Sequence, residues 1–331
     1  MTLASRMLNV SLLHRAHMDT ATFTFALNVT GPVLGLLAIG LILYRRRMLT
    51  DSFVVGASKL VFNLALPVLL FLAISEADFS EAANPTLIGT AIIATLVFFL
   101  FLMGLCHLTV SPRSARGVVV QGGFRANMGI IGLAYCDNLY GTHGIAVASV
   151  FLGCITMVYN VLSVFVLNYY LPARRSFVQH VQGMFTNPLI IAIVLALPFS
   201  YWQITLPEVI TQTGSYLAQL TLPLALLCTG ASLQFRGIGR DMAGLAVSML
   251  SKCLLYPLAL TLAGYWAGLR GMPLGVLYLM TMAPTAAASY VMARGLGGDP
   301  RLAANIIALT TVVSLPTTVA GFALLNYWQL L

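Results

Sequence analysis

Charge is what this sequence has least of. Only 8% of its 331 residues are Asp, Glu, Lys or Arg, against about 25% in a soluble domain. That supply cannot cover a water-exposed surface, which excludes a soluble enzyme and a disordered scaffold. Acidic residues are the scarcer sign, nine against 17 Lys and Arg. A nucleic-acid groove needs basic residues clustered with aromatics on one solvated face, and no stretch provides one, so no nucleic-acid partner is expected. The five cysteines, Cys106, Cys136, Cys154, Cys228 and Cys253, show no Cys-x-x-Cys spacing and no nearby His pair. Buried thiols are expected, with no metal site and no disulfide frame. Gly-x-Ser-x-Gly, His-Glu-x-x-His and phosphate-loop patterns are absent, and Gly295-Leu296-Gly297-Gly298 lacks dinucleotide spacing. The expectation is a non-enzyme without a resident cofactor, not driven directly by ATP.

What is abundant is apolar sequence: 59% hydrophobic residues and a mean hydropathy of +0.92. A bilayer core of ~30 Å takes ~20 apolar residues per helix, and such runs follow one another almost without pause. They fall near 23–44, 53–76, 86–109, 116–140, 143–171, 183–201, 209–234, 240–267, 272–296 and 301–328. The expected fold is an all-α integral membrane protein with ten transmembrane helices. Basic residues mark alternate loops: Arg45-Arg46-Arg47, Arg113 and Arg116, Arg174 and Arg175, then Arg236, Arg240 and Arg301. The other loops hold Glu76, Asp78, Glu81 and Glu208, with Arg270 as the exception. The positive-inside rule puts the basic loops in the cytoplasm and both termini outside it. Residues 1–22 are read as an extracytoplasmic tail, and Met18 offers an alternative start after residues 1–17.

Prolines expose an internal repeat. Pro188 lies 156 residues after Pro32, and the same offset carries Leu66-Pro67-Val68-Leu69-Leu70 onto Leu222-Pro223-Leu224-Ala225-Leu226. It sets Asn63 opposite Gln219, Asn127-Met128-Gly129 opposite Ala283-Pro284-Thr285, Gly141 opposite Gly297, and Asn160 opposite Pro316. The halves are 23–171 and 183–331, joined by a cytoplasmic linker 172–182. Five spans per half is an odd number, so the halves cross the membrane in opposite senses. Inverted repeats of this kind characterise secondary transporters with a midplane site.

Two spans are broken near mid-depth. Span four contains Gln121-Gly122-Gly123-Phe124-Arg125-Ala126-Asn127-Met128-Gly129, and span nine contains Met282-Ala283-Pro284-Thr285-Ala286-Ala287-Ala288-Ser289. Freed backbone groups in hydrocarbon are tolerated only where protein or a wet cavity satisfies them. Paired interruptions in the two halves are the best sequence pointer to a transport site. New half-helices are expected after Asn127 and at Pro284, with proline in the first helical position. Two converging helix N-termini favour an anion. Asn127, Met128, Gly129, Ala283, Pro284 and Thr285 are the expected substrate-binding residues. Arg125 either counters a substrate carboxylate or snorkels to the surface. Asn160, beside Tyr159, either coordinates an ion or makes an interhelical hydrogen bond. Asn63, Gln219 and Lys252 are the further candidates for ion binding or gating, Lys252 more as a packing or gating partner than a ligand. Asp137 reads as a solvated helix-end carboxylate.

From about Thr24 to Tyr327 the sequence resembles the auxin efflux carrier family, membrane transport proteins that include plant auxin exporters and bacterial malonate and malate permeases. The likeness is carried by Arg45-Arg46-Arg47-Met48-Leu49-Thr50-Asp51, Phe62-Asn63-Leu64-Ala65-Leu66-Pro67, the break at Phe124–Gly129, Leu139-Tyr140-Gly141, and the stretch from Ala283-Pro284 through Asp299-Pro300 to Ser314-Leu315-Pro316. The resemblance implies two inverted five-helix repeats with crossed helices four and nine, a fold also similar to bile-acid sodium symporters. It further implies a scaffold of helices one, two, six and seven, a moving core of helices three to five and eight to ten, an elevator-like motion and a homodimer. Plant carriers tend to place an amide at each crossing, whereas this chain has Ala283, Pro284 and Thr285 at the second.

The function expected is secondary active transport of a small organic anion, such as a mono- or dicarboxylate, across the bacterial inner membrane, with Na+ or H+ as the possible coupling ion. The alternatives are a sodium symporter of larger amphipathic anions and a non-transporting ligand sensor on the same fold.

Overall fold

A computed structural model describes residues 31–76, 84–170, 188–232 and 242–330. The tail 1–22, the linker 172–182, and the loop charges Asp78, Glu81, Arg174, Arg175, Arg236 and Arg240 lie outside them. Among the described residues every regular element is a helix, with one isolated β-bridge besides. We number the helices α1 (Gly31–Arg45), α2 (Asp51–Ser75), α3 (Pro85–Thr109), α4 (Arg113–Phe124), α5 (Met128–Tyr170), α6 (Pro188–Tyr201), α7 (Glu208–Ala231), α8 (Met242–Trp266), α9 (Met272–Met282), α10 (Ala288–Leu296) and α11 (Pro300–Tyr327). Five of these, α2, α3, α5, α8 and α11, are long and apolar enough to cross a membrane, and α1, α6 and α9 are shorter apolar helices.

The helix starts follow from local chemistry. Thr50 caps α2 by accepting the Phe53 N–H, and Asn84 caps α3 by accepting that of Leu87 at 2.9 Å. Asp299 caps α11 by accepting from Arg301 and Leu302 N–H. Pro85 and Pro300 occupy the first turns of their helices, where a missing N–H breaks no helical bond. Gly141 turns the chain inside α5 with φ 61°, and its counterpart across the repeat, Gly297, ends α10 with φ 91°. Both lie in the left-handed region, which glycine enters without a Cβ penalty.

Packing sorts the helices into two groups. Helix α1 meets α7 at backbone distance: a Cβ on Gly40 would strike the Leu227 carbonyl, and one on Gly230 that of Leu37. Helix α2 packs along α6 and α7, with Leu66, Leu70 and Ile74 fully buried, and Phe71 meets Phe199 edge-on. The other group surrounds α4 and α9, whose side chains are buried almost without exception. Exposed Ile93, Val97, Leu100, Phe101, Leu254 and Leu258 line the outer faces of α3 and α8. Such apolar rows facing outward suit a lipid solvent.

Candidate functional site

Two buried segments, after α4 and after α9, leave the helical conformation. Arg125 has φ −74° and ψ 99°, and Ala283 has φ −49° and ψ 137°. The two extended segments run past each other and pair. Asn127 N–H donates to Pro284 O at 2.7 Å, and Ala286 N–H donates to Arg125 O at 3.0 Å. Ala126 and Thr285 thus form an antiparallel bridge. The unwound backbone meets its hydrogen-bonding needs by joining the other break.

In this type of pair the N–H groups of the facing residues point away from the ladder. Each finds a hydroxyl. Thr285 N–H donates to Thr310 Oγ1 of α11 at 3.1 Å, and the Tyr159 hydroxyl of α5 lies beside the Ala126 N–H. Thr285 Oγ1 donates to Gly122 O at 2.6 Å, tying the second break to the end of α4. A hydroxyl chain continues outward, with Tyr159 and Tyr256 oxygens 2.8 Å apart and Tyr256 and Thr95 oxygens 2.9 Å apart.

The second half-helix, α10, begins at Ala288 with Ala287 as its cap. This corrects the expectation that it starts at Pro284. Pro284 instead lies in the extended segment, where its carbonyl serves the ladder and its absent N–H leaves no donor to satisfy. The first half-helix begins at Met128, as the spacing suggested, and the Asn127 carbonyl accepts from Ile131 and Gly132.

Arg125 does not snorkel. Its side chain is buried, donating to Asn160 Oδ1 at 2.7 Å and to Ser163 Oγ at 3.1 Å on α5. Asn160 therefore makes the interhelical hydrogen bond. Lys252 is fully buried in a π turn, Ser251–Leu255, within α8. Its Nζ donates to Thr281 O at 2.5 Å and stands 4.7 Å from the centre of the Tyr256 ring. Among the described residues no Asp or Glu is buried.

Asn127 is 8% exposed, and its side-chain amide forms no hydrogen bond among the described residues. Around the crossing, Gln121 Oε1, Arg125 Nε, Ser251 Oγ and Ser289 Oγ are also buried without partners among the described residues. Met128 and Ala283 are buried, and a Cβ on Gly129 would meet Leu66 of α2 at van der Waals distance.

Two cavities flank this contact. The larger, about 620 Å³, lies between α1, α2, α7 and the kinked middle of α5. Its polar lining includes Glu76, Asp137, Asn138, His143, Ser215 and Gln219. A crevice of about 80 Å³ lies on the other side, touching Ile130, Ala287 and Ile307 against α2 and α7. Gln219 and Asp137 thus face the larger cavity and not the crossing. Asn63 is exposed on α2 and lines neither cavity. Ser163, Tyr256, Thr281 and Thr310 were not singled out from sequence. Ser163, Tyr256 and Thr281 are isolated polar residues in apolar runs and Thr310 stands beside Thr311 in another, and such residues were the only signal available.

A family model described as membrane transport protein matches residues 29–176 and 174–320. The chain is 24% identical over 285 residues to an uncharacterized transporter of Methanothermobacter thermautotrophicus, covering 86% of this chain and 93% of the relative. It is likewise 24% identical over 311 residues to the uncharacterized transporter YfdV of Escherichia coli K12, covering 90% of this chain and 95% of the relative.

Proposed function

Because the chain belongs to the membrane transport protein family, we propose that it is a secondary carrier moving a small organic anion, such as a mono- or dicarboxylate, by alternating access. The observation that carries this is the joining of the two breaks at the centre of the bundle, with the Asn127 amide unpartnered beside it among the described residues. Two half-helices start there, at Met128 and Ala288. Each N-terminus brings unpaired N–H groups and a partial positive charge, a ready seat for a carboxylate. Arg125 adds a basic side chain to a core without a buried carboxylate among the described residues. An anion is the substrate such a field favours.

Ten spans in two inverted halves fit the helix order, with α4 and the first part of α5 as span four and α9 with α10 as span nine. The antiparallel meeting of repeat-related breaks supports opposed halves, and so do the left-handed glycines Gly141 and Gly297. In this scheme α1, α2, α6 and α7 form the scaffold on which two copies dimerise. The remaining helices form the core that carries the crossing. The two cavities lie along the seam between scaffold and core, so sliding of the core opens one and closes the other. The protein resides in the bacterial inner membrane with both termini outside the cytoplasm.

The test is uptake of labelled malonate, malate and indole-3-acetate into liposomes holding the purified protein. Saturable flux of one acid is expected, lost in Asn127→Ala and in Pro284→Ala while both variants remain folded. Binding without flux points instead to a sensor, and variants that carry the acid like the parent refute the crossing as the site.

A further inference from the structure

Lys252 is the one side chain among the described residues that is both basic and wholly enclosed. A π turn inserts an extra residue into a helix and is a frequent mark of functional positions, and here it holds the lysine inward. Its acceptor, the Thr281 carbonyl, is the second-last of α9, one of the helix-end oxygens without an intrahelical partner. Thr281 stands only two residues before Ala283, so the amine borders the crossing.

The groups around it are few. Helix α8 itself contributes Cys253 and Tyr256, and α5 contributes Tyr159 through its bond to Tyr256. Beyond Tyr159 lies Arg125 in the first break. Helix α3 offers Thr95, α9 the Thr281 carbonyl, and α11 the Thr310 carbonyl, which takes Cys253 Sγ. Helix α4 brings Gly123 against Ser251. None of these is a carboxylate. An ammonium enclosed without a counter-ion costs several kcal/mol, while a neutral amine does not.

The repeat register sets Thr281 opposite Arg125, so each break has one basic side chain beside it. The two differ in chemistry. Arg125 is held by Asn160 and Ser163, and a guanidinium keeps its proton. A lysine amine can release one. An anion at Asn127 and the two helix N-termini supplies the negative charge that an ammonium at Lys252 lacks.

We propose that Lys252 is the proton-coupling site of the carrier. A solvent proton bonds to the Nζ lone pair when the anion occupies the crossing, and it returns to solvent when the anion leaves. One proton thus travels with each anion. By linkage, the anion tightens proton binding by the factor that the proton tightens anion binding. This rests on the anion-carrier function proposed above.

The experiment uses full-length protein in liposomes enclosing a pH dye, with labelled malate and malonate as probes. Counterflow exchange at saturating acid needs no coupling and serves as the baseline. Wild type should acidify the lumen in step with uptake and accumulate the acid under an inward proton gradient. Lys252→Gln and Lys252→Arg should retain exchange yet lose lumen acidification per anion by about tenfold or more. Wild-type net uptake without acidification overturns the proposal, and so does acidification preserved in both variants. Loss of exchange in both variants makes Lys252 structural and overturns it equally. Failure of the wild type to exchange either acid refutes malate and malonate as its substrates, and the coupling proposed for them falls with it.

Discussion

Replacing Thr310 with valine removes one hydrogen-bond acceptor from the centre of the bundle while keeping the shape of the side chain. Thr310 is fully buried, and its Oγ1 accepts the Thr285 N–H, itself on a residue only 1% exposed. Thr310 also donates to the Ile306 and Ile307 carbonyls, but those lie inside α11 and keep their helical partners. The cost of the substitution is therefore that of one orphaned N–H, about 1–3 kcal/mol. Thr317 is the control on the same helix. Its hydroxyl only donates to the Val313 and Ser314 carbonyls, so Thr317→Val orphans nothing and should stay within about 0.5 kcal/mol. Thr310→Ser restores the acceptor and loses one methyl, at about 0.8 kcal/mol. The assay is SDS titration in mixed micelles, with unfolding followed by far-UV circular dichroism. Equal losses for Thr310→Val and Thr317→Val would refute the claim that the bridge depends on side-chain hydroxyls.

The α1–α7 contact gives a second expectation: Gly230→Ala drives a methyl into the Leu37 carbonyl and should lose about 1–3 kcal/mol in the same titration. Gly89→Ala in α3 meets nothing within 4 Å and should gain about 0.5–1 kcal/mol. The reverse ranking would mean that α1 and α7 do not approach at those glycines. Arg125→Gln removes the guanidinium charge that Asn160 and Ser163 hold beside the crossing. It should weaken malate about tenfold or more in competition uptake while affecting the corresponding diamide less; equal losses would make Arg125 purely structural.

Much of the helical order was legible because hydropathy is local. A run of apolar residues reports its solvent without reference to its neighbours, and the capping residues Thr50, Asn84 and Asp299 sit beside the helices they start. The breaks were legible for the same reason, since glycine and proline change the backbone wherever they stand. Pro284 shows the limit. A first-turn position and an extended segment both tolerate a residue without an N–H, and sequence spacing chose the former. The paired segment opposite, 157 residues away in the chain from Asn127 to Pro284, decided for the latter.

The polar residues divide along the same line. That Arg125, Asn160 and Lys252 sit in apolar sequence was plain, but what they bond was not. Arg125 reaches Asn160 35 residues on, Lys252 reaches Thr281 29 residues on, and Tyr256 meets Thr95 across 161 residues. Asn63 and Gln219 occupy matching places in the repeat, yet Gln219 lines the larger cavity and Asn63 faces outward. The sequence by itself determined that this chain is a helical membrane protein with two interrupted helices, because burial in lipid forbids other backbone arrangements over long apolar runs. Only the tertiary structure decided that the interruptions pair as an antiparallel bridge and which hydroxyls complete it. An orphaned N–H is satisfied by whatever acceptor the fold brings within 3 Å, and no local rule specifies which one that is.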